Sequence, residues 1–377
     1  MHSDDNNRPV FNPIFAKQFA AQVLEENQDW LQTYPLPKTK ERHRHEPVQQ
    51  IVNYLTHGHL GNIPYCTAAE ANTYVTSGDT LFVINDTSNI DWGGDDPIVS
   101  LFKTWSVLSA RSTTTRVEVT FPHRFKTQKY KEHKQTGTIE RKFMDINYLP
   151  EEPAWMIYNF FNPLPNTEPP FLRFPNARLL QCIEQKKGII AKGNPENIML
   201  VEGGNHTATH VDYWGFATYL TVHKGSLGFG WIDIQTVENL REWEKDPLSE
   251  EVAKMARYVV LQPRQTIYIP SGTIHFVFRA EEQRTMQTFG DILVWSCIRQ
   301  WLRVLKRQEL SLSMERATRK AVEYYTLPLK AIIAQLLKSD TEENLNRYIH
   351  HIGGVDIARE IVETIETWEN FDPYKEL

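Results

Sequence analysis

The sequence predicts an α+β protein in three parts: a mixed α/β region over residues 1–149, a β-rich core over 150–312 and a helical region over 313–377. Three observations carry this. Apolar residues recur at helical spacing near the N-terminus, short apolar runs separated by Gly, Pro and Asn turns crowd the middle, and helix-favouring segments follow Trp295. The composition suits a folded chain: hydrophobic residues are 41% and charged residues 23%, too apolar for a long disordered polymer.

Taken in order, FAKQFAAQVLEENQDWLQTY reads as an amphipathic helix, and PVQQIVNYLTHG as a second. Between them lies KTKERHRH, residues 38 to 45, which reads as a solvated linker, with a nuclear-import signal or basic patch as the sharper alternative. DTLFVIND then shows strand character, PIVSLFKTWSVLSA a helix and TRVEVTF an alternating strand. The cation-rich HRFKTQKYKEHKQTGTIERK could meet an acidic partner, but an exposed hairpin or loop is the plainer expectation.

Within the core, ARLLQCIEQKK reads as a short helix ending near Gly188. ENIMLVEG, THVDYWGFATYLTVHKG, LGFGWIDI, RYVVLQP, QTIYIP, TIHFVFR and MQTFGDILVW read as seven strands, with one helical insertion around NLREWEKDPLSEEVAKMA. Strands so closely spaced indicate an antiparallel sandwich or barrel. In RQTIYIPSGTIHFVF, the Pro-Ser-Gly turn is expected to reverse the chain so that the second strand lies beside the first. The segments after Trp295 favour helix, with Gly353 and Gly354 as a break.

Several function classes lack support. A net charge of −6 argues against a surface built to hold nucleic acid. Cys66, Cys182 and Cys297 are odd in number and widely spaced, so neither a disulfide framework nor a cysteine zinc cluster is indicated, and a reducing compartment is expected. The N-terminal MHSDDNNRPVFNP has no apolar leader core and no apolar stretch has membrane-spanning length, so a protein neither secreted nor membrane-bound is expected. Phosphate-binding loops, nucleophile elbows and H-E-x-x-H helices are absent. Ser271 and His275 in PSGTIH make a poor catalytic pair without an acid.

The chemistry concentrates in TATHVDYWG and IYIPSGTIHFVF. Alternate residues of a strand share a face, so His210 and Asp212 can reach one ion, and His275 on another strand would complete a set of two imidazoles and one carboxylate. That set suits a non-haem iron with open positions. Singly, an H-x-D pair or a strand histidine is more often an ordinary structural residue.

Together, THVDYWGFATYLTVHKG and QPRQTIYIPSGTIHFVF resemble the JmjC family of Fe(II)- and 2-oxoglutarate-dependent oxygenases, over roughly residues 150 to 312. The resemblance implies a double-stranded β-helix, or cupin-like jelly roll. It also implies Fe(II) held by His210, Asp212 and His275, 2-oxoglutarate as cosubstrate, and Thr207 as a hydrogen-bond donor to it. The expected outcome is oxidative decarboxylation to succinate and carbon dioxide, coupled to hydroxylation of a protein side chain or loss of an N-methyl group, histone lysine included.

The chain departs from the family at the lysine that pairs with the far carboxylate of 2-oxoglutarate, since the stretch reads GSLGFGW. Lys224 and Arg284 are the candidate replacements, and a third candidate is some other residue or no cosubstrate at all. A catalytically inactive JmjC-like binding module is the alternative, while a cupin isomerase is disfavoured because those usually present H-x-H with a further Glu and His. An intracellular location is expected, the nucleus ahead of the cytoplasm, with any nucleic-acid association indirect, through chromatin. The C-terminal helices could mediate a homodimer, as in some family members, though helices at a chain end more often cap a core. Tyr213 and Trp214 are read as core aromatics or pocket walls, and His206 and His223 as structural or surface residues.

Overall fold

A computed structural model describes residues 11–35, 42–85, 96–109, 116–121, 126–130, 157–161, 178–186, 196–311, 315–338 and 348–374. In chain order the elements begin with α1 (Pro13–Thr33), α2 (Arg42–His57), β1 (His59–Leu60), β2 (Tyr65–Cys66), α3 (Ala71–Ser77), β3 (Phe82–Asn85) and α4 (Pro97–Ser109). Next come β4 (Arg116–Phe121), β5 (Lys126–Tyr130), β6 (Ile157–Phe161), α5 (Leu179–Lys186), β7 (Glu196–Val201), β8 (Thr207–His210), β9 (Ala217–Lys224) and β10 (Leu227–Ile232). They continue with α6 (Val237–Lys245), α7 (Glu250–Met255), β11 (Ala256–Leu261), β12 (Gln265–Ile269), β13 (His275–Phe278) and β14 (Thr285–Ile292). The last are α8 (Ile298–Leu310), α9 (Glu315–Lys338), α10 (His350–Ile352) and α11 (Val355–Glu366).

The α+β class is as expected. Two mixed sheets form, one in the order β1-β11-β10-β13-β8, the larger in the order β2-β3-β12-β9-β14-β7-β6-β4-β5. Most pairs are antiparallel, with β1 and β11, and β2 and β3, parallel. Strands from the first 149 residues are thus hydrogen-bonded into both sheets, and the cation-rich segment contributes β5, paired to β4; its other residues lie outside the described ones.

The period of two decides what each face meets. In HFVF, Val277 joins Phe229, Leu220 and Ile269 in a core shared by the two sheets, while Phe276 and Phe278 pack on the other face against α1 and α2. α1 forms because Asn12 caps it, its Oδ1 accepting from the backbone N–H groups of Ile14 and Phe15 at 3.1 Å, and because Ala16, Phe19, Ala20, Val23 and Trp30 line one buried stripe. A separate core joins the C-terminal helices to α5: Trp301 and Leu305 of α8, Leu329 and Ile333 of α9, and Ile361 of α11 pack with Leu179, Ile183 and Phe216. Gly353 and Gly354 both take left-handed backbone conformations between α10 and α11, and so break the helix as expected.

Three expectations are corrected. KTKERHRH is not a linker over its second half, because α2 already begins at Arg42; His45 is buried beside Trp30, with ring centroids 5.9 Å apart. Residues 38–41 lie outside the described ones. THVDYWGFATYLTVHKG is two strands in different sheets, so β7 to β14 number eight where seven were expected. The break is a 3-10 turn, Tyr213–Gly215, in which Trp214 and Gly215 have φ of 61° and 66°. Finally, the Pro-Ser-Gly turn makes no hairpin: β12 pairs with β3 and β9, and β13 with β10 and β8. Gly272, at φ 80°, and the Thr273 N–H to Pro270 carbonyl bond form a corner that carries the chain from one sheet to the other. Among the described residues no helix is long and apolar enough to cross a membrane.

Candidate metal centre

β8 is an outer strand of the smaller sheet, and its pairing with β13 sets His210 directly across from His275. The ladder is irregular between His275 and Val277, and the rings stand with centroids 4.3 Å apart. α2 holds β8 from the other side: Gln50 Oε1 accepts from the Thr209 N–H at 2.8 Å and from its hydroxyl at 3.0 Å. Phe229 stacks on His275 at 5.5 Å and so fixes that ring from below.

Asp212 comes to the same point from outside the strand. The loop carrying it is held by α8, where Gln308 Nε2 donates to the Asp212 carbonyl at 2.7 Å and Trp301 Nε1 to the Trp214 carbonyl at 2.8 Å. Gly215 is required here, since a Cβ would stand 2.7 Å from Val304 Cγ1. One imidazole nitrogen from each histidine and one carboxylate oxygen of Asp212 lie within 4.8 Å of one another. Asp212 Oδ1 is 3.6 Å from His210 Nε2 and 3.8 Å from His275 Nε2.

The atoms turned away from this point are all occupied. His210 Nδ1 donates to the Ala208 carbonyl at 2.9 Å and His275 Nδ1 to the Thr273 carbonyl at 3.0 Å. A carbonyl only accepts, so each Nδ1 carries the proton and each Nε2 presents its lone pair inward. Thr218 of β9 donates to Asp212 Oδ2 at 2.6 Å, which leaves Oδ1 for the shared point. This is the outer hydrogen bonding that orients ligands at metal sites.

Electrostatics agree with that assignment at His275 and Asp212, while at His210 the neighbouring carboxylate favours the proton that a metal would displace. Burial, then the charge of His210, pushes the His275 imidazole down to about 4, which keeps it a neutral ligand. Burial opposes ionisation of Asp212, but the two histidines and the Thr218 hydroxyl outweigh it and hold the carboxyl far below its usual range. At His210 burial is outweighed by Asp212, which raises the imidazole. Asp291 of β14 stands across from Thr218 in the ladder; burial, then the Asp212 charge, pushes its carboxyl up to about 7. The side chains of His210 and Asp212 are 41% and 25% exposed against 7% for His275, so the group is open on one side.

On that side lies a cleft of about 1000 Å³ lined by His210, Tyr213, Trp231, Trp243, Arg307 and Tyr374 among others. Tyr213 is 70% exposed there, whereas Trp214 packs into the helical core, so the two neighbouring aromatics take the two different roles weighed for them. His206 and His223 serve the structure. His206 Nε2 bonds Asn27 Oδ1 at 2.8 Å, its Nδ1 accepts from the Arg279 N–H, and His223 Nε2 bonds Thr288 Oγ1 at 2.9 Å.

Of the residues assigned to a cosubstrate, Thr207 lies on β8 opposite Val277, at the shared core. Lys224 and Arg284 are not brought to the metal group. Lys224 is half-exposed at the far end of β9 and bonds Asp96, and Arg284 is exposed just before β14 at that same end. Sequence reading missed Thr218, Gln308 and Asp291. Thr218 and Asp291 sit at strand ends nearest the site, and a period-two reading of ATYLTV and TFGDI, continued one step, could have flagged both. The chain matches no protein-family model, and no curated protein is significantly similar to it.

Proposed function

We propose that this chain is an Fe(II)- and 2-oxoglutarate-dependent oxygenase of the JmjC type, built on a double-stranded β-helix and acting on a protein side chain by hydroxylation or demethylation. The observation that carries the reading is the convergence of His210, Asp212 and His275, with every outward-facing ligand atom hydrogen-bonded and one side open to a cleft. The passage of the chain back and forth between two sheets that share a core, at every step from β8 to β14 except the paired β10 and β11, supports the fold assignment.

Bound iron with its cosubstrate supplies the oxidising power for attack on a C–H bond. The chain's own residues present two imidazole nitrogens and one carboxylate oxygen, while Thr218 and Gln308 hold Asp212 in place. The Tyr213, Trp231 and Trp243 side chains wall the approach to His210, and Asp233 and Glu244 add negative charge to a cleft that also contains Arg307.

Purified protein supplied with Fe(II), ascorbate and 2-oxoglutarate is expected to form succinate, followed by NMR, and His210→Ala to form none. Iron-loaded wild type that forms no succinate would sink the reading. The alternative, an inactive JmjC-like binding module, draws on the lack of a lysine in GSLGFGW and on the engagement of Lys224, the nearest cation, by Asp96.

A further inference from the structure

The cleft beside the metal group has walls of different chemistry. One wall is α8: Gln300, Val304, Arg307 and, just past the helix end, Ser311 recur at spacings of four, three and four, so they share one face, and all line the cleft. Trp301, Leu302 and Leu305 of the same helix are given to the helical core instead. The other sides carry the carboxylates, Asp79, Asp233 just past β10 and Glu244 of α6. Arg307 is the only arginine or lysine of this lining among the described residues.

The Arg307 side chain is half-buried, and no hydrogen bond or ion pair engages its guanidinium among the described residues. Burial lowers its proton affinity, and the charges of Tyr374 and Glu244 only partly offset this. Asp233 is already engaged, accepting from Gln235 Nε2 at 2.5 Å and standing 3.8 Å from Arg257 Nη2. Glu244 feels Arg307 and Arg241 but forms an ion pair with neither, and burial raises its carboxyl. A guanidinium drawn out of water with its donors unused is costly to hold, and its planar fork matches a carboxylate. A second donor stands close by. A Cβ on Gly272 would lie 3.4 Å from Gln300 Nε2 and 3.5 Å from Arg307 Nη2, so both approach the bare corner that leads, three residues on, to His275. Tyr213 and Leu310, 70% and 56% exposed, line the same cleft, and large apolar side chains left so open suit cover by a polypeptide.

We propose that Arg307, assisted by Gln300, sets the specificity of the cleft by binding the side-chain carboxylate of an Asp or Glu near the reacting residue of a protein substrate. That the occupant is a protein rests on the oxygenase reading above. Asp79, Asp233 and Glu244 on the other sides repel further negative charge, so the site takes one acid and refuses a polyacidic tract.

The test is retention of short randomised peptides on the immobilised full chain loaded with Mn(II), in pools where each position in turn is fixed as Glu, Gln or Lys. Wild type is expected to favour Glu over Gln about 10-fold or more at one position, Gln300→Ala to reduce that ratio about 3-fold, and Arg307→Lys to keep part of it. Arg307→Gln should erase the preference and Arg307→Glu transfer it to the Lys pool, with Mn(II) uptake, read by electron paramagnetic resonance, unchanged in both. The Tm of Arg307→Gln should match wild type, since its guanidinium holds no partner in the fold; a structural arginine would lower it. Wild type that retains no pool, or Glu and Gln equally, overturns the assignment, as does a Glu preference that survives in Arg307→Gln. Loss of N-oxalylglycine binding in Arg307→Gln also overturns it, because the arginine then serves the cosubstrate. If Arg307→Gln does not fold, an undiminished preference in both Arg307→Lys and Gln300→Ala overturns it. A Glu preference in a chain that forms no succinate removes the oxygenase reading and leaves the acid anchor standing; succinate without the preference does the reverse.

Discussion

His210 and His275 differ from His206 and His223 in what surrounds the ring, not in residue type. In the first pair a backbone carbonyl takes the Nδ1 proton and both Nε2 atoms converge beside Asp212 Oδ1. In the second pair the rings are spent on Asn27, the Arg279 N–H and Thr288. A histidine becomes a candidate ligand when its outer nitrogen is satisfied and its inner one is not. Proximity to the site is insufficient, since His206 lies only four residues from His210.

The comparison breaks most sharply at the ligands. His210→Ala, Asp212→Ala or His275→Ala should each lower metal affinity by more than about 100-fold, since losing even an outer partner costs about 10–100-fold. Equilibrium dialysis with metal analysis reads this, and a variant that kept wild-type affinity would remove that residue from the group. Thr218→Val, which leaves Asp212 Oδ2 without its donor, should cost about 10–100-fold with the fold intact.

The structural pair should respond in stability instead. His206→Ala leaves Oδ1 of the buried Asn27 without its His206 partner and should lose about 1–3 kcal/mol in denaturant unfolding while metal affinity stays at the wild-type value. Stability should also depend on pH through His223. Burial pushes His223 down to about 3, whereas in the unfolded chain it titrates near its ordinary value of 6.5. The unfolded state therefore takes up the proton first: the contribution is fully present above pH 6.5 and is lost as pH falls from 6.5 toward 3. A plot of Tm against pH should be shallower over that interval for His223→Gln, and parallel curves would refute the assignment.

Much of the layout was legible because it depends on local periodicity. The buried stripe of α1, the alternation in HFVF and the glycine break at Gly353 and Gly354 each follow from spacing or from backbone freedom at a single residue. The break inside THVDYWGFATYLTVHKG was not legible, because Trp214 adopts a left-handed backbone that its residue type does not favour and that Trp301 and the helical core hold in place. The corner at Pro270 to Thr273 read as a hairpin for a similar reason: a tight turn states that the chain bends, not which sheet receives it. The start of α2 was hidden because cation-rich sequence reads as solvated, and only packing against Trp30 buries His45.

The order of residues by itself determined the α+β pattern, the placement of His210, Asp212 and His275 in strand-rich sequence, and the lack of a lysine in GSLGFGW. Only the tertiary structure decided that the three converge, that Thr218 and Gln308 from two other elements hold Asp212, and that Arg279 is enclosed on the Thr285 hydroxyl and the Asn205 carbonyl. The physical reason is that period and propensity act over a few residues. Whether a polar atom is satisfied or left for a ligand depends on groups tens to hundreds of residues away, which the chain brings together only when the sheets close on each other.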